Sequence, residues 1–337
     1  MRVICYGEIV IDLIIARNGV MSYKIGGAPL NVAVGLRRLG IDVHFISNIG
    51  SDWFGRKASD YLRANGVRSS LGVVKGTATR VAIVSHDKNR ERYFEFFPGI
   101  AAENYLPESE LTRLLSGAAK ILYFGSFPFA KGDTLESFVK FARRMKRAGA
   151  KLIFDPNLRL QIFSSPAVAA KTCRQLAALS DVVRLNVDEL LFLTYLPNVQ
   201  DRTTTNIRRA AAGLAKMGPG EIFVTDGKAG SYIYADRQLE FSPPFKIKAV
   251  DTTGCGDAFT AAVISKGYCT RKRAEWSDVL SFANAAGAAA ATKLGGADSM
   301  PARPLVESIS KSRKSRRVTL TNSSRNDKYR RENYIAT

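Results

Sequence analysis

Apolar residues along this chain come in short runs separated by amphipathic stretches, and the two kinds alternate. Val3–Tyr6 is a strand-like run, and Glu8 to Ile15 is a second extended apolar stretch. Gly26-Gly27-Ala28-Pro29 opens a segment, Leu30–Leu39, whose apolar residues recur at helical spacing until Gly40 stops it. Val43–Ile49 reads as a strand and Phe54–Asn65 as a helix closed by Gly66. Val73–Val74, Val81–Ser85 and Arg92–Phe97 alternate like hairpin strands around His86-Asp87-Lys88-Asn89. From there helices (108–116, 134–147, 166–178, 188–195, 206–217) alternate with buried strands (121–124, 152–154, 182–185, 221–225, 231–234). The pattern ends in helices 257–266 and 276–292.

Strands alternating with helices across short turns predict an α/β fold with a mostly parallel central sheet covered on both faces. The early strands, roughly 10–25 and 72–98, break that rhythm and predict a small separate β-sheet, placed as a lid. No internal repeat is present. One domain is expected over 1–308. From about Ser308 the composition turns to Ser, Lys, Arg and Asn, and residues 309–337 read as a basic, disordered extension.

The chain has 337 residues, 46% of them hydrophobic, enough for one large α/β core. No apolar run has transmembrane length. The N-terminus begins on a strand with no signal-peptide layout. Four cysteines (Cys5, Cys173, Cys255, Cys269) show neither metal spacing nor a disulfide framework. A reducing, cytoplasmic setting is the expectation. Two histidines, His44 and His86, leave little room for a histidine metal site or triad. The net charge of +20 favours anionic ligands, ATP and sugar acids among them. Nucleic acid is a weaker expectation, because the basic tail interleaves no aromatics beyond Tyr329 and Tyr334.

The chemistry concentrates in Asp251-Thr252-Thr253-Gly254-Cys255-Gly256-Asp257, followed by an alanine-rich run. Glycines uncover backbone N–H groups, and a helix starting here aims its positive end at the same spot, which makes an anion cradle. A carboxylate beside such a cradle is costly unless it handles a proton, so Asp257 reads as a general base. A glycine turn with a helix-capping Asp has the same composition. Asp12 ends an extended apolar run and can accept from hydroxyls, or it simply lies in a turn. In Gly26-Gly27-Ala28-Pro29-Leu30-Asn31 a plain helix start explains the glycines and proline, but not Asn31 between Leu30 and Val32.

Asp155-Pro156-Asn157-Leu158-Arg159 follows a strand, where parallel sheets bind ligands. Arg159 suits a carboxylate or phosphate and Asn157 a hydroxyl, though an Asp-Pro turn reads the same way. Asn186-Val187-Asp188-Glu189 follows another strand. It is either an oxygen pair for a hydrated Mg²⁺ or a plain capping box. The role of Asp188 is not assigned. Thr225-Asp226-Gly227-Lys228-Ala229-Gly230 is at least a turn between strands, and Asn284 sits on an otherwise apolar helix. No G-x-x-x-x-G-K-[S/T] loop occurs.

Residues 251–257 resemble the D-T-x-G-A-G-D signature of the ribokinase-like, or PfkB, carbohydrate kinases, with Cys255 in place of alanine. That replacement threatens oxidation more than catalysis. Gly7-Glu8, Asp12 and Gly26–Ala33 resemble the family's N-terminal G-E … D … G-G-A-P-x-N-V-A pattern. Asp155–Arg159 resembles the D-P-N-x-R of fructokinases and of 2-keto-3-deoxygluconate kinases. Asn186–Glu189 and Thr225–Gly230 resemble the family's N-x-x-E and T-x-G-x-x-G motifs, so five motifs occur in family order over about residues 3–307.

The resemblance implies an ATP-dependent sugar kinase. Asp257 would be its base, and Gly254, Cys255 and Gly256 the backbone cradle. Asp12, Gly27, Asn31, Arg92, Asn157 and Arg159 would face the substrate. Asn186, Thr225, Gly227, Gly230 and Asn284 would lie on the ATP side. Asn186 and Glu189 would manage Mg²⁺, and Asp251 would face K⁺ if a monovalent cation is used. Fructose is the first substrate expected and 2-keto-3-deoxygluconate the second, with nucleosides third. A homodimer through the lid is also implied. The rival of another class is a catalytically weak, kinase-like binding protein that uses its basic tail.

Overall fold

The computed structural model describes residues 2–15, 19–86, 92–97, 99–106, 111, 119–132, 134–194, 201–270, 272 and 274–312. Of the helix expected over 108–116, only Leu111, helical and buried, is among the described residues, and the extension beyond Ser312 lies outside them.

The strands are β1 (Arg2–Tyr6), β2 (Val10–Ile15), β3 (Met21–Gly26), β4 (Asp42–Gly50), β5 (Arg68–Val74), β6 (Arg80–His86) and β7 (Arg92–Phe96). They continue with β8 (Ala119–Phe124), β9 (Lys151–Phe154), β10 (Val182–Asn186), β11 (Glu221–Thr225), β12 (Ser231–Ala235) and β13 (Gln238–Ser242). The described helices are α1 (Ala28–Arg38), α2 (Trp53–Ala64), α3 (Thr134–Arg147), α4 (Pro166–Leu179) and α5 (Val187–Thr194). After them come α6 (Thr204–Ala215), α7 (Cys255–Val263), α8 (Trp276–Ala291) and α9 (Arg303–Lys311).

The large sheet has nine strands in the order β13-β12-β11-β10-β9-β8-β1-β4-β5. Pairs from β11 to β5 are parallel, and the β11–β12 and β12–β13 pairs are antiparallel. Both faces are covered. In β1, Val3 and Cys5 pack into one core with α1, α7 and α8, while Ile4 and Tyr6 pack into the other with α3 to α6. Alternate side chains of a strand face opposite ways, so a strand buried on both sides reads as a continuous apolar run. That is why these strands were visible in the sequence.

The small sheet has four strands, β3-β2-β6-β7. Its central pair, β2 and β6, is parallel, so it is two hairpins joined side by side. Val73 and Val74 do not belong to it: they end β5, the edge strand beside β4 of the large sheet. The base of the small sheet is held by Arg80. Its guanidinium donates to Glu103 Oε1 at 2.7 Å, to the carbonyls of Phe97 and Gly99, and to Asn104 Oδ1. α9 carries ordered helix past residue 308, with Val306 fully buried. None of the described helices is long and apolar enough to cross a membrane.

Chain order reverses at β1, whose neighbours are β4 on one side and β8 on the other. Open parallel sheets bind ligands at such a switch point, beyond the carboxyl ends of the strands.

Candidate active site

A cavity of about 800 Å³ opens there. Glu8 reaches it from the end of β1, Asp12 from β2, and Asn31 from α1. Asn157 and Arg159 follow β9, and Arg184 and Asn186 come from β10. Asp251 to Gly254, Gly256 and Asp257 close the remaining wall. Of the expected substrate residues, Asp12, Gly27, Asn31, Asn157 and Arg159 all line this one space. Arg92 opens β7, but its side chain lies outside the described residues.

Asp257 is not a helix cap. α7 starts two residues earlier than the alanine run implies, because Gly254 takes a left-handed conformation (φ 84°) and becomes the N-cap. Asp257 falls in the first turn, where the helix dipole favours negative charge. Its Oδ2 accepts from Asn31 Nδ2 at 2.7 Å. Burial pushes its carboxyl up to about 6. The Asn31 bond opposes this, Asp155 adds to it, and Arg184 and Arg159 pull it back down. Cys255 is half-buried, and burial raises its thiol to about 12. At neutral pH it is therefore a thiol rather than a thiolate.

Two residues that the motifs did not single out hold Asp155: Arg184, which lines the cavity, and Thr260, which is buried and outside its lining. Arg184 donates to Asp155 through Nη1 (3.3 and 3.5 Å) and to Thr225 Oγ1 through Nη2 (2.9 Å). Thr260 Oγ1 donates to Asp155 Oδ2 at 2.9 Å. Asp155 is fully buried, so it is a paired anion and not merely a turn residue. The guanidinium lies against Gly256: a Cβ there would stand 2.7 Å from Arg184 Nη2. The signal in the sequence was a charge inside an apolar strand, Val-Val-Arg-Leu.

Asn186 and Glu189 form the capping box. Asn186 N donates to Glu189 Oε2 (2.8 Å), Glu189 N donates to Asn186 Oδ1 (2.8 Å), and Leu158 N donates to Glu189 Oε1 (2.7 Å). Glu189 is buried and its carboxyl is pushed up, by burial first and then by Asp155. Each oxygen already takes a backbone N–H. No group of three or more His, Cys, Asp or Glu among the described residues forms a ligand cluster. The pair fits an ion held through its waters, as Mg²⁺ commonly is. Asp251 Oδ1 accepts from Thr253 N (3.0 Å) and Oδ2 from Gly295 N (2.6 Å), so its carboxylate ties the glycine turn to the 295–296 turn. A cation there would share its remaining lone pairs.

Thr225, Gly227, Gly230 and Asn284, expected on the ATP side, are not among the residues that line the cavity. Asn284 Nδ2 donates to the Ser242 and Pro243 carbonyls (3.1 Å each). Gly230, at φ 114°, packs against the same Ser242. Arg202 donates to both Asp188 (2.7 Å) and Asp226 (3.2 Å), which gives those two acids a shared structural role.

A family model described as pfkB family carbohydrate kinase matches residues 1–303. The chain belongs to the pfkB family of carbohydrate kinases. As a family member it is a sugar kinase, as the motif order implied. A probable fructokinase-7 of Arabidopsis thaliana is 33% identical over 325 residues, 93% of each chain. The fructokinase of Xylella fastidiosa with bound ATP is 27% identical. It superimposes with a TM-score of 0.81 over 92% of this chain and 98% of its own. A double mutant of the Vibrio cholerae O395 fructokinase, with fructose, ADP and potassium ion bound, is 26% identical. Its TM-score is 0.80 over 91% of this chain and 97% of its own.

Proposed function

We propose that this kinase transfers the γ-phosphoryl group of ATP to a hydroxyl of fructose. The observation that carries the reading is Asp257: a carboxylate pinned by Asn31 at the start of α7, beside the Gly254–Gly256 turn and facing the cavity. In-line transfer needs position and charge stabilisation more than covalent help. Asp257 takes the proton of the attacking hydroxyl. The N–H groups of Gly254 and Gly256 bond the oxygens of the migrating group, while that of Cys255, expected in the same cradle, donates to the Thr252 carbonyl (3.2 Å). Asp12, Gly27, Asn31, Arg92, Asn157 and Arg159 hold the sugar. Thr225, Gly227, Gly230 and Asn284 border the nucleotide, with Asn186 between it and the cradle. Mg²⁺, when bound, neutralises phosphate charge, and Asn186 and Glu189 hold its waters. Asp251 holds the cradle turn and would face a potassium ion. The small sheet excludes water from the sugar.

A coupled ADP-release screen of fructose, 2-keto-3-deoxygluconate and nucleosides with Mg-ATP tests this. Fructose is expected to be turned over best. Preferential turnover of the sugar acid replaces fructose as the substrate, and no sugar-dependent ADP release ends the kinase reading.

Arg159→Ala separates the two sugars further. A sugar acid paired to this guanidinium would lose roughly 2–5 kcal/mol of binding. Fructose carries no charge, so its KM is expected to rise less than about tenfold, the weight of an ordinary hydrogen bond. A larger rise measured with fructose would give Arg159 a role beyond neutral contact.

Asp257 must be ionised to accept a proton, and its carboxyl sits near 6 rather than at the ordinary 3.8. The expected kcat/KM profile for the sugar therefore falls about tenfold per unit below pH 6. A flat profile down to pH 5 would exclude Asp257 as the titrating base.

The ordered kinase domain is proposed to end with α9, leaving the basic extension outside the catalytic unit. A reducing compartment suits the four free cysteines. The small sheet is the surface proposed for a homodimer.

A further inference from the structure

Glu8 was visible in the sequence only as half of a Gly-Glu pair, and nothing in the mechanism above uses it. Its side chain is 2% exposed at the end of β1. Oε1 accepts from Ala28 N (3.2 Å), in the turn that starts α1 and places Asn31 one helical turn later. Oε2 has no hydrogen-bond partner, although it is buried and its residue lines the cavity. Asn31 shows the same pattern, with Nδ2 spent on Asp257 and a buried Oδ1 that has none. Leaving a buried polar atom unmatched is destabilising, so two of them on residues lining one cavity point to a ligand that supplies the missing bonds.

We propose that Glu8 is a specificity-determining residue of the sugar subsite: Oε1 fixes the Gly27–Ala28 turn, and Oε2 hydrogen-bonds a hydroxyl of the bound sugar. The inference rests on the sugar-kinase reading above. A hydroxyl is the group that fits both orphans, since it accepts from one oxygen that carries a proton and donates to another that does not.

Glu8 is the oxygen that carries the proton. Burial raises its carboxyl to about 8. Glu103 and Asp257 push the same way, and the Ala28 N–H opposes them. The titratable groups around it are Tyr6 of β1, Tyr123 of β8, Glu103 with its partner Arg80 of β6, and Asp257 of α7. The other charged residues lining the cavity are Asp12, Arg159, Arg184 and Asp251. Glu8 and Asp257 thus divide acid and base between them: one carboxyl stays protonated at neutral pH while the other is ionised.

Glu8→Gln keeps an acceptor for Ala28 N and replaces the O–H donor with N–H. It is expected to keep sugar kcat/KM within about threefold at pH 7. Wild-type sugar KM is expected to rise above pH 8, and Glu8→Gln to show no such rise. Glu8→Ala is expected to lose roughly tenfold to a hundredfold in sugar kcat/KM, with ATP KM nearly unchanged. Unchanged sugar KM in Glu8→Ala overturns the proposal, and so does a Gln variant as weak as the Ala variant at pH 7.

Thermal unfolding gives a readout that needs no turnover. The folded-state value near 8 lies above the ordinary 4.5, so the unfolded chain ionises first and wild-type stability falls as pH rises from 4.5 to 8. Glu8→Gln lacks that loss, so its Tm gains on wild type across the window. Parallel Tm curves overturn the protonated Glu8. Absent fructose turnover with diverging Tm curves would sink the choice of substrate and leave the Glu8 assignment standing.

Discussion

Asp257→Asn is expected to keep the fold and nucleotide binding while losing roughly 10²–10⁴-fold in kcat, the usual worth of general-base assistance. The amide has nearly the shape of the carboxylate, and its oxygen still accepts from Asn31 Nδ2. What disappears is the lone acceptor for the sugar proton. Stability should move the other way. The wild-type carboxyl titrates near 6 when folded against an ordinary 3.8, so the folded state loses stability as pH rises between those values. An uncharged Asn escapes that loss, and Tm at pH 7 should match or exceed wild type. A variant retaining more than about a tenth of wild-type kcat would mean that another group takes the proton. A lower Tm with equal activity would make Asp257 a structural residue only.

Arg184→Met is expected to be the most destabilising change in the site, by about 3–5 kcal/mol, the usual cost of stranding a buried charge. Asp155 is fully buried and would keep only Thr260 Oγ1 as a side-chain donor. Thr225 Oγ1 would lose the same guanidinium. Denaturant unfolding measures this. The double variant Arg184→Met with Asp155→Asn should recover much of the loss, because the stranded charge is gone. Activity should not recover with it, since the double variant still lacks a cation under the Gly254–Gly256 turn. If the single variant unfolds at the wild-type denaturant concentration, the pair is not structural. If the double variant restores ADP release, the cation is not needed there.

Much of the fold was legible because parallel strands covered on both faces leave an unmistakable trace. Val3–Tyr6, Ile121–Phe124 and Val182–Leu185 are apolar whichever way each residue points. The small sheet was harder. Its strands alternate, but alternation is a property of one strand and says nothing about its neighbour. Thus β5 was placed with the hairpins, whereas its pairing with β4 makes it the edge of the large sheet. α9 was missed because Arg303–Lys311 buries little and looks polar, with Val306 as its one fully buried residue. The alanine run puts the start of α7 at Asp257, whereas Gly254, in a left-handed conformation, caps a helix that begins two residues earlier, at Cys255.

In the site, the residue types that only a ligand would justify were readable one at a time. Asn31 is polar between apolar neighbours, and Asp12 and Asp257 are acids at the ends of apolar runs. Their order along the chain was enough to identify a sugar kinase. What the chain order does not contain is which groups share a buried volume, and that decides charge. Arg184 and Asp155 are 29 positions apart and became a buried pair by strand adjacency. Asn186 and Glu189 read as a metal pair, and the helix they begin uses them first as its own cap. The two carboxyls of Glu8 and Asp257, 249 positions apart, take opposite protonation states at neutral pH because burial dominates at the first and Asn31 and two arginines offset it at the second. Sequence by itself determined the family and most strands of the large sheet, and it named Asp257 as the candidate base. Tertiary structure decided the proton inventory, because a pKa is set by neighbours and by the water they exclude.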